Sequence, residues 1–263
     1  MASLIDDFVP SMKYNSLPLI SQVAEAPEIY ARDLQDLRGL LQKHNVPRGV
    51  SIRLIHKHFD TADSEVMVFD RVTIPGLGVA QIMKPMVPTE NNKLRGIHFF
   101  VGENASLQAY EYSNYRVPDM SNYGSFLDEF CTIISERRLQ RTFGLKLQCD
   151  DDAGRTGWTE YELGAKRGTI MFPDGMPMPD GEDDYSVTTE WNAVTNELPR
   201  TCKHSTACSH GRSTCKHCKH CNRHPSPGDA GDVGEGILCL GGRKILPGSQ
   251  MHAIVKQIVA AFG

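Results

Sequence analysis

The sequence predicts an α+β protein: a mainly antiparallel β-sheet with about three helices and a zinc-stabilised Cys/His-rich segment. Three observations carry this expectation. Apolar residues recur at helical spacing in three places, and short period-two runs separated by turn residues lie between them. In addition, five of the eight cysteines and five of the ten histidines fall within Thr201–His224.

Residues 1–26 show no strong period and read as an irregular N-terminal arm. PEIYARDLQDLRGLLQKHN then places Ile29, Leu34, Leu37 and Leu41 near one helical face, with Pro27 at its start and Asn45 near its end. From residue 49 the period changes to two. VSIRLIHKHF, EVMVFDRVTI, GVAQIMKPM, LRGIHFFV and SLQAYEYS are rich in β-branched and aromatic residues, and TADS, PGLG and GENAS separate them. This spacing predicts an antiparallel meander whose last two strands form a hairpin about GENAS. A second helix follows in SNYGSFLDEFCTIISERRLQRTF, with Phe126, Leu127, Phe130, Ile133 and Ile134 as its apolar face and Arg137, Arg138 and Arg141 toward its C-terminal end. GLKLQC, WTEYEL, GTIMFP and YSVTTEWNAV read as further strands, and DGMPMPDGEDD as a loop. After the Cys/His segment, PSPGDAGDVGEG is a connector and GILCLGG a short strand. A last helix is capped by Ser249 and presents Ile254, Val255, Ile258 and Val259. The expected organisation is an arm over 1–26, an α+β body over 27–200, a metal-binding segment over 201–224, and a linker with a C-terminal helix over 225–263 that completes the body.

With 263 residues, 40% of them hydrophobic and 23% charged, the chain has the composition of a folded globular protein. The net charge of −4 argues against a surface that coats nucleic acid or an anionic membrane. No apolar run is long enough to span a bilayer, which takes about 18 residues or more. The opening MASLIDDFVPSMKYNSLPLI carries acids where a secretory signal carries bases, so the expected location is the cytoplasm or nucleus rather than outside the cell. In a reducing compartment a dense Cys/His cluster binds metal rather than forming disulfides.

The cluster repeats C-x-H: Cys202/His204, Cys208/His210, Cys215/His217 and Cys218/His220. Cys215, Cys218 and Cys221 are also spaced C-x-x-C-x-x-C, and His224 closes the set. A tetrahedral zinc ion takes four such donors, and short spacings let one turn supply two of them. Ten candidates therefore serve two zinc ions with donors to spare, and thiolates in a reducing cell also suit Cu(I). A ligand set rich in thiolates is the mark of a closed, structural site. A segment this poor in apolar residues would draw its folding energy from the metal. From Arg200 to Arg223 the chain carries six bases (Arg200, Lys203, Arg212, Lys216, Lys219 and Arg223) and no acid, a patch that can contact RNA phosphates or simply keep the clasp soluble.

A second candidate is SIRLIHKHFD. Continued as a strand, it directs Ile52, Leu54, His56, His58 and Asp60 to one face. Two histidines at i and i+2 can share a metal, with His98 or Asp60 as the third ligand. Without metal, His56 or His58 can act as a general base positioned by Asp60 or Glu111. The bland alternative is a pair of sheet histidines bonded to Tyr110, Tyr112 or backbone. Asp150, Asp151 and Asp152, and the later DGEDD, are acidic loops of the kind that are usually only solvated. No phosphate-binding, dinucleotide, nucleophile-elbow or kinase signature is present.

IRLIHKHFD, LRGIHFFV, LQAYEY, FLDEFC and the late Cys/His cluster together resemble a group of intracellular proteins of filamentous fungi, over most of the chain. That group carries no established activity. Some fungal proteins of this kind are enzymes of specialised metabolism, aminoacyl-tRNA-dependent arginine cyclodipeptide synthases among them, but no defining motif of those enzymes is present and no catalytic residue carries over. Two functions of different class are expected. One is a zinc-binding enzyme acting on a small molecule through His56, His58, Asp60 and His98. The other is a metal-dependent module that binds nucleic acid or protein.

Overall fold

The computed structural model describes residues 4–5, 7–74, 78–102, 105–148, 157–174, 176, 184–193, 201–207, 238–240 and 243–260. They form a mixed α+β structure whose strands pair mainly antiparallel. The chain divides into two compact units, the first made of Met1–Phe69, Pro85–Gly157 and Thr188–Cys202 and the second of Asp70–Lys84, Trp158–Val187 and Lys203–Gly263. Among the described residues no helix is long and apolar enough to cross a membrane.

The first unit opens with β1 (Leu4–Ile5) and the short helices α1 (Ser11–Asn15), α2 (Ile20–Val23) and α3 (Ala26–Ile29), followed by α4 (Ala31–Lys43). The three short helices raise the helix content above the sequence expectation. The single long helix expected from Pro27 to Asn45 is divided at Tyr30, which ends α3 and precedes α4. As a result Ile29 is 67% exposed, while Leu34, Leu37, Leu40 and Leu41 are buried. The other long helix of this unit, α5 (Gly124–Glu136), buries Phe126, Leu127, Phe130, Cys131 and Ile134. Arg137, just past its end, donates to Asp33 and Asp36 of α4, at 2.7 Å each.

Its sheet uses β2 (Val50–Leu54), the first half of β3 (Val66–Ile74), β5 (Arg95–Val101), β6 (Leu107–Ser113), β7 (Phe143–Leu147) and β11 (Glu190–Trp191). Their order is β3-β6-β5-β7-β2-β11, with β1 beside β6. The expected meander is therefore incorrect. The hairpin of β5 and β6 forms as predicted, closed by a 2.8 Å bond from the Gly102 amide to the Ser106 carbonyl. However, β3 runs parallel to β6, and β2 leaves its sequence neighbours to pair with β7 and β11. Short-range periodicity identifies strands; pairing across the sheet depends on which faces must be covered.

Register separates that sheet into an apolar and a polar side. Ile52 faces Leu145 and Trp191, Leu54 faces Phe143, and Leu145 faces Phe99. The ring of Tyr30 meets Phe143 edge-on at 6.4 Å, which sets the start of α4 on this apolar side. The alternate residues are different in kind: Ser51 faces Lys146, Lys146 faces His98, and Arg53 faces Glu190.

The second unit contains β4 (Gly78–Met86), β8 (Gly157–Leu163), β9 (Gly168–Pro173), β10 (Asp184–Thr188) and β12 (Thr201–Ala207), in the order β10-β12-β8-β9-β4 followed by β3. A two-stranded hairpin, β13 (Leu238–Leu240) with β14 (Arg243–Ile245), and helix α6 (Gln250–Ala260) complete it. Ile82, Tyr161, Leu163, Ile170 and Phe172 pack with Leu240, Ile245, Ile254, Val255 and Ile258 in its core. Ser249 caps α6 as the sequence predicts, its hydroxyl accepting from the His252 amide at 3.1 Å.

Candidate functional site

The polar side of the first unit's sheet gathers three of the four residues expected to carry chemistry. His56, His58 and His98 are buried, His56 completely. Strand β2 stops at Leu54, so His56 and His58 lie on irregular backbone beyond it rather than on a continued strand face. Their rings are brought together even so, edge to face with centroids 4.8 Å apart. His56 Nδ1 lies 2.8 Å from the Leu54 carbonyl. A carbonyl only accepts, so the proton sits on Nδ1 and the basic lone pair on Nε2. Asp60 does not join them. Its side chain is 71% exposed and forms an ion pair with Lys57 at 2.6 Å.

His98 is held by Glu111. Pairing of β5 with β6 runs Arg95–Ser113, Gly96–Tyr112, Phe99–Ala109 and onward in regular steps, but His98 pairs with Glu111 out of step. Such irregularities re-aim a side chain. Here the break lets His98 Nδ1 donate to Glu111 Oε2. The carboxylate fixes the tautomer, leaving Nε2 as the acceptor. Buried Nε2 has no hydrogen-bond partner among the described residues. The other carboxylate oxygen, Oε1, accepts from the Tyr14 hydroxyl at 3.4 Å. His98 therefore has the orientation of a general base with a positioning carboxylate behind it.

Beyond His98 the polar row continues into a buried ion network. Lys146 Nζ donates to Glu190 Oε2 at 2.6 Å, and Ser51 donates to Glu190 Oε1 at 2.8 Å. Arg53, 1% exposed, donates from Nη1 to the Thr189 hydroxyl at 3.1 Å. Burial and the nearby charges of Arg53, Lys146, His56 and His58 hold His98 well below the usual imidazole range, so the ring is neutral near pH 7. For Glu190 burial opposes ionisation, but Lys146, Ser51 and Arg53 outweigh it and hold the carboxyl below its ordinary value. Burial, then Glu111 and Tyr110, push the Tyr14 phenol well up, so it stays protonated and donates.

Sequence reading missed Lys146, Arg53, Glu190, Ser51 and Tyr14. A signal existed for two of them, since Arg53 and Lys146 are the lone charges inside the strand-forming runs VSIRL and FGLKL. Nothing local marks Tyr14.

Of the Cys/His candidates, Cys202 and His204 fall within the backbone of β12. Cys208, His210, Cys215, His217, Cys218, His220, Cys221 and His224 lie outside the described residues, as do Arg200, Arg212, Lys216, Lys219, Arg223, Asp150, Asp151 and Asp152. The chain matches no family model, no curated protein and no solved structure, so the histidine centre is read on its own geometry.

Proposed function

We propose that this protein is a zinc-binding enzyme that performs acid–base chemistry on a small molecule, with His98 as the base and Glu111 as the residue that positions it. The observation that carries the reading is the buried Nε2 of His98, oriented through Nδ1 by Glu111 and lacking a hydrogen-bond partner among the described residues. An unsatisfied buried polar atom costs about 1–3 kcal/mol. A buried ionic network is often no more stable than a well-packed apolar one. Costs of this kind concentrate at functional sites.

The Cys/His segment belongs to the proposal as a structural zinc clasp of about two ions, resting on its C-x-H and C-x-x-C-x-x-C spacing. Thiolate ligands fit a reducing compartment, the cytoplasm or nucleus.

The test incubates the purified chain with a small-molecule cell extract and follows substrate loss by mass spectrometry, beside His98→Asn and a variant lacking residues 201–224. Loss of a compound with the intact chain but not with His98→Asn, at unchanged metal content, supports the reading. Equal turnover by His98→Asn removes His98 as the base. An extract left untouched, together with salt-dependent RNA binding that weakens on replacing Lys216, Lys219 and Arg223, favours a metal-dependent binding module instead.

A further inference from the structure

The histidine centre is covered by a strap, residues 7–19, and one strap residue stands where a ligand would. Tyr14 is 1% exposed. Its hydroxyl donates to Glu111 Oε1, the oxygen opposite the one that holds His98, and it faces the His58 backbone N–H. One short helix thus sends a phenol into the centre of a site otherwise built from sheet residues and the loop after β2.

The strap is attached by polar contacts as well as by its buried side chains. Asn15 forms three hydrogen bonds with Thr61, to its carbonyl, amide and hydroxyl, at 2.9, 2.8 and 3.2 Å. Lys57 donates to the Asn15 carbonyl from Nζ and to the Pro18 carbonyl from its amide. Arg141 reaches the Ser16 carbonyl at 2.6 Å, and the Val9 amide donates to the Tyr112 hydroxyl at 2.8 Å. Of the strap's apolar side chains, Val9, Tyr14 and Pro18 are buried and Leu17 and Leu19 half-buried, whereas Phe8 is 45% and Met12 82% exposed. A segment with no strand pairing over residues 10–18 among the described residues, held largely by half-buried hydrogen bonds, opens at lower free energy than the sheet beneath it.

We propose that residues 7–19 are an autoinhibitory strap whose Tyr14 occupies the substrate slot, and that the slot takes an aromatic alcohol, with its hydroxyl between Glu111 and the His58 amide and its ring in the place of the Tyr14 ring. This rests on the enzymatic reading of His98 for its consequence, but not for its test. A substrate hydroxyl bonded to Glu111 would lie beside the residue that positions the base. When the strap lifts, Tyr14 leaves and the slot opens. When it closes, the chain's own phenol excludes a weak competitor.

The probe is p-cresol, which has the ring, substituent and hydroxyl of a tyrosine side chain; toluene is the control of like shape without the hydroxyl. Binding is measured on the full chain by shifts of the His58 amide and His98 ring signals, and strap opening by hydrogen exchange of its amides. Asn15→Ala removes the clasp to Thr61 and lies outside the catalytic set; Thr61→Val is the milder second variant. The open fraction multiplies apparent affinity directly. The expected result is that cresol affinity rises from the unaltered chain to Thr61→Val to Asn15→Ala by the same factor as strap exchange. Toluene should bind about tenfold more weakly or worse, because a polar site left without its hydroxyl is penalised.

Strap amides that exchange only with global unfolding overturn the proposal, and so does toluene binding as tightly as cresol. Cresol affinity that stays constant while the strap opens overturns it as well. Failure of the enzymatic reading looks different: cresol binds as expected, and His98→Asn changes no turnover.

Discussion

His98 and Glu111 meet because the pairing of β5 with β6 breaks step at this one point and returns to its former register by Phe99 and Ala109. In the regular register His98 would face Tyr110 and Glu111 would face Ile97, on opposite sides of the sheet. A local irregularity thus creates the contact on which the site depends. Glu111→Gln removes the carboxylate with little change of shape. It should destabilise the chain by about 1–3 kcal/mol and let the His98 proton redistribute between the two ring nitrogens. Urea unfolding measures the first effect and ¹⁵N chemical shifts of the imidazole the second. An unchanged tautomer would show that the oxygen acceptor, not the negative charge of Glu111, positions the ring.

Lys146 and Glu190 form an ion pair with both side chains almost fully buried. Replacing Lys146 with Met strands the Glu190 charge, at an expected cost of about 3–5 kcal/mol. Replacing Glu190 with Met as well removes the stranded charge, so the double variant should recover most of the loss. A double-mutant cycle in urea checks this, and additive losses would show that the two residues do not act as a pair.

Two groups shift with opposite sign below the ordinary imidazole value of about 6.5. His98 is held below its ordinary value, so between its folded pKa and the unfolded value of about 6.5 the unfolded chain binds more protons, and stability rises with pH. Burial and neighbouring Glu160 push the Glu162 carboxyl up to about 7. Above the unfolded value near 4.5 the folded chain then holds the extra proton, and stability falls as pH rises. The two slopes oppose each other in the unaltered chain. Glu162→Gln should expose a rise of about 1.4 kcal/mol per pH unit, and His98→Asn a fall of similar size. Unfolding midpoints from pH 5 to 7 decide it; a Glu162→Gln profile as flat as the starting one would contradict the assignment of His98.

Gly144 lies where β5, β7 and the start of the histidine loop come close. A Cβ built there would stand 2.0 Å from the Phe99 carbonyl oxygen and 3.3 Å from Ile55 Cγ1. Since the first neighbour is backbone, Gly144→Ala must push β7 away from β5. We expect a loss of about 1–3 kcal/mol or more, with shifts in the His98 and Lys146 signals across the same strand pair. Gly39 has no heavy atom within 4 Å of such a Cβ and lies inside α4, so Gly39→Ala is the control of opposite sign, expected to stabilise by about 0.5–1 kcal/mol.

Periodicity by itself determined the kinds of element and much of their location. The apolar faces of α5 and α6, the Ser249 cap, the hairpin about GENAS, and the strands in GLKLQC, WTEYEL and GTIMFP are all encoded in contacts a few residues apart. Such contacts depend on side-chain spacing and turn chemistry alone. The sequence also marked His56, His58 and His98 as unusual, because ionisable rings inside apolar runs must find partners. It could not say which partners. That β2 stops at Leu54, that Asp60 turns to Lys57, and that Glu111 serves His98 all follow from pairings far apart along the chain. Tyr14 is the clearest case. It belongs to a five-residue helix with no local distinction, and only the folding of residues 7–19 over the sheet brings its hydroxyl to Glu111, ninety-seven positions away. Strand order, the break in register and the strap are tertiary decisions. They are fixed by burying apolar faces and satisfying buried polar groups together, which no short window of sequence contains.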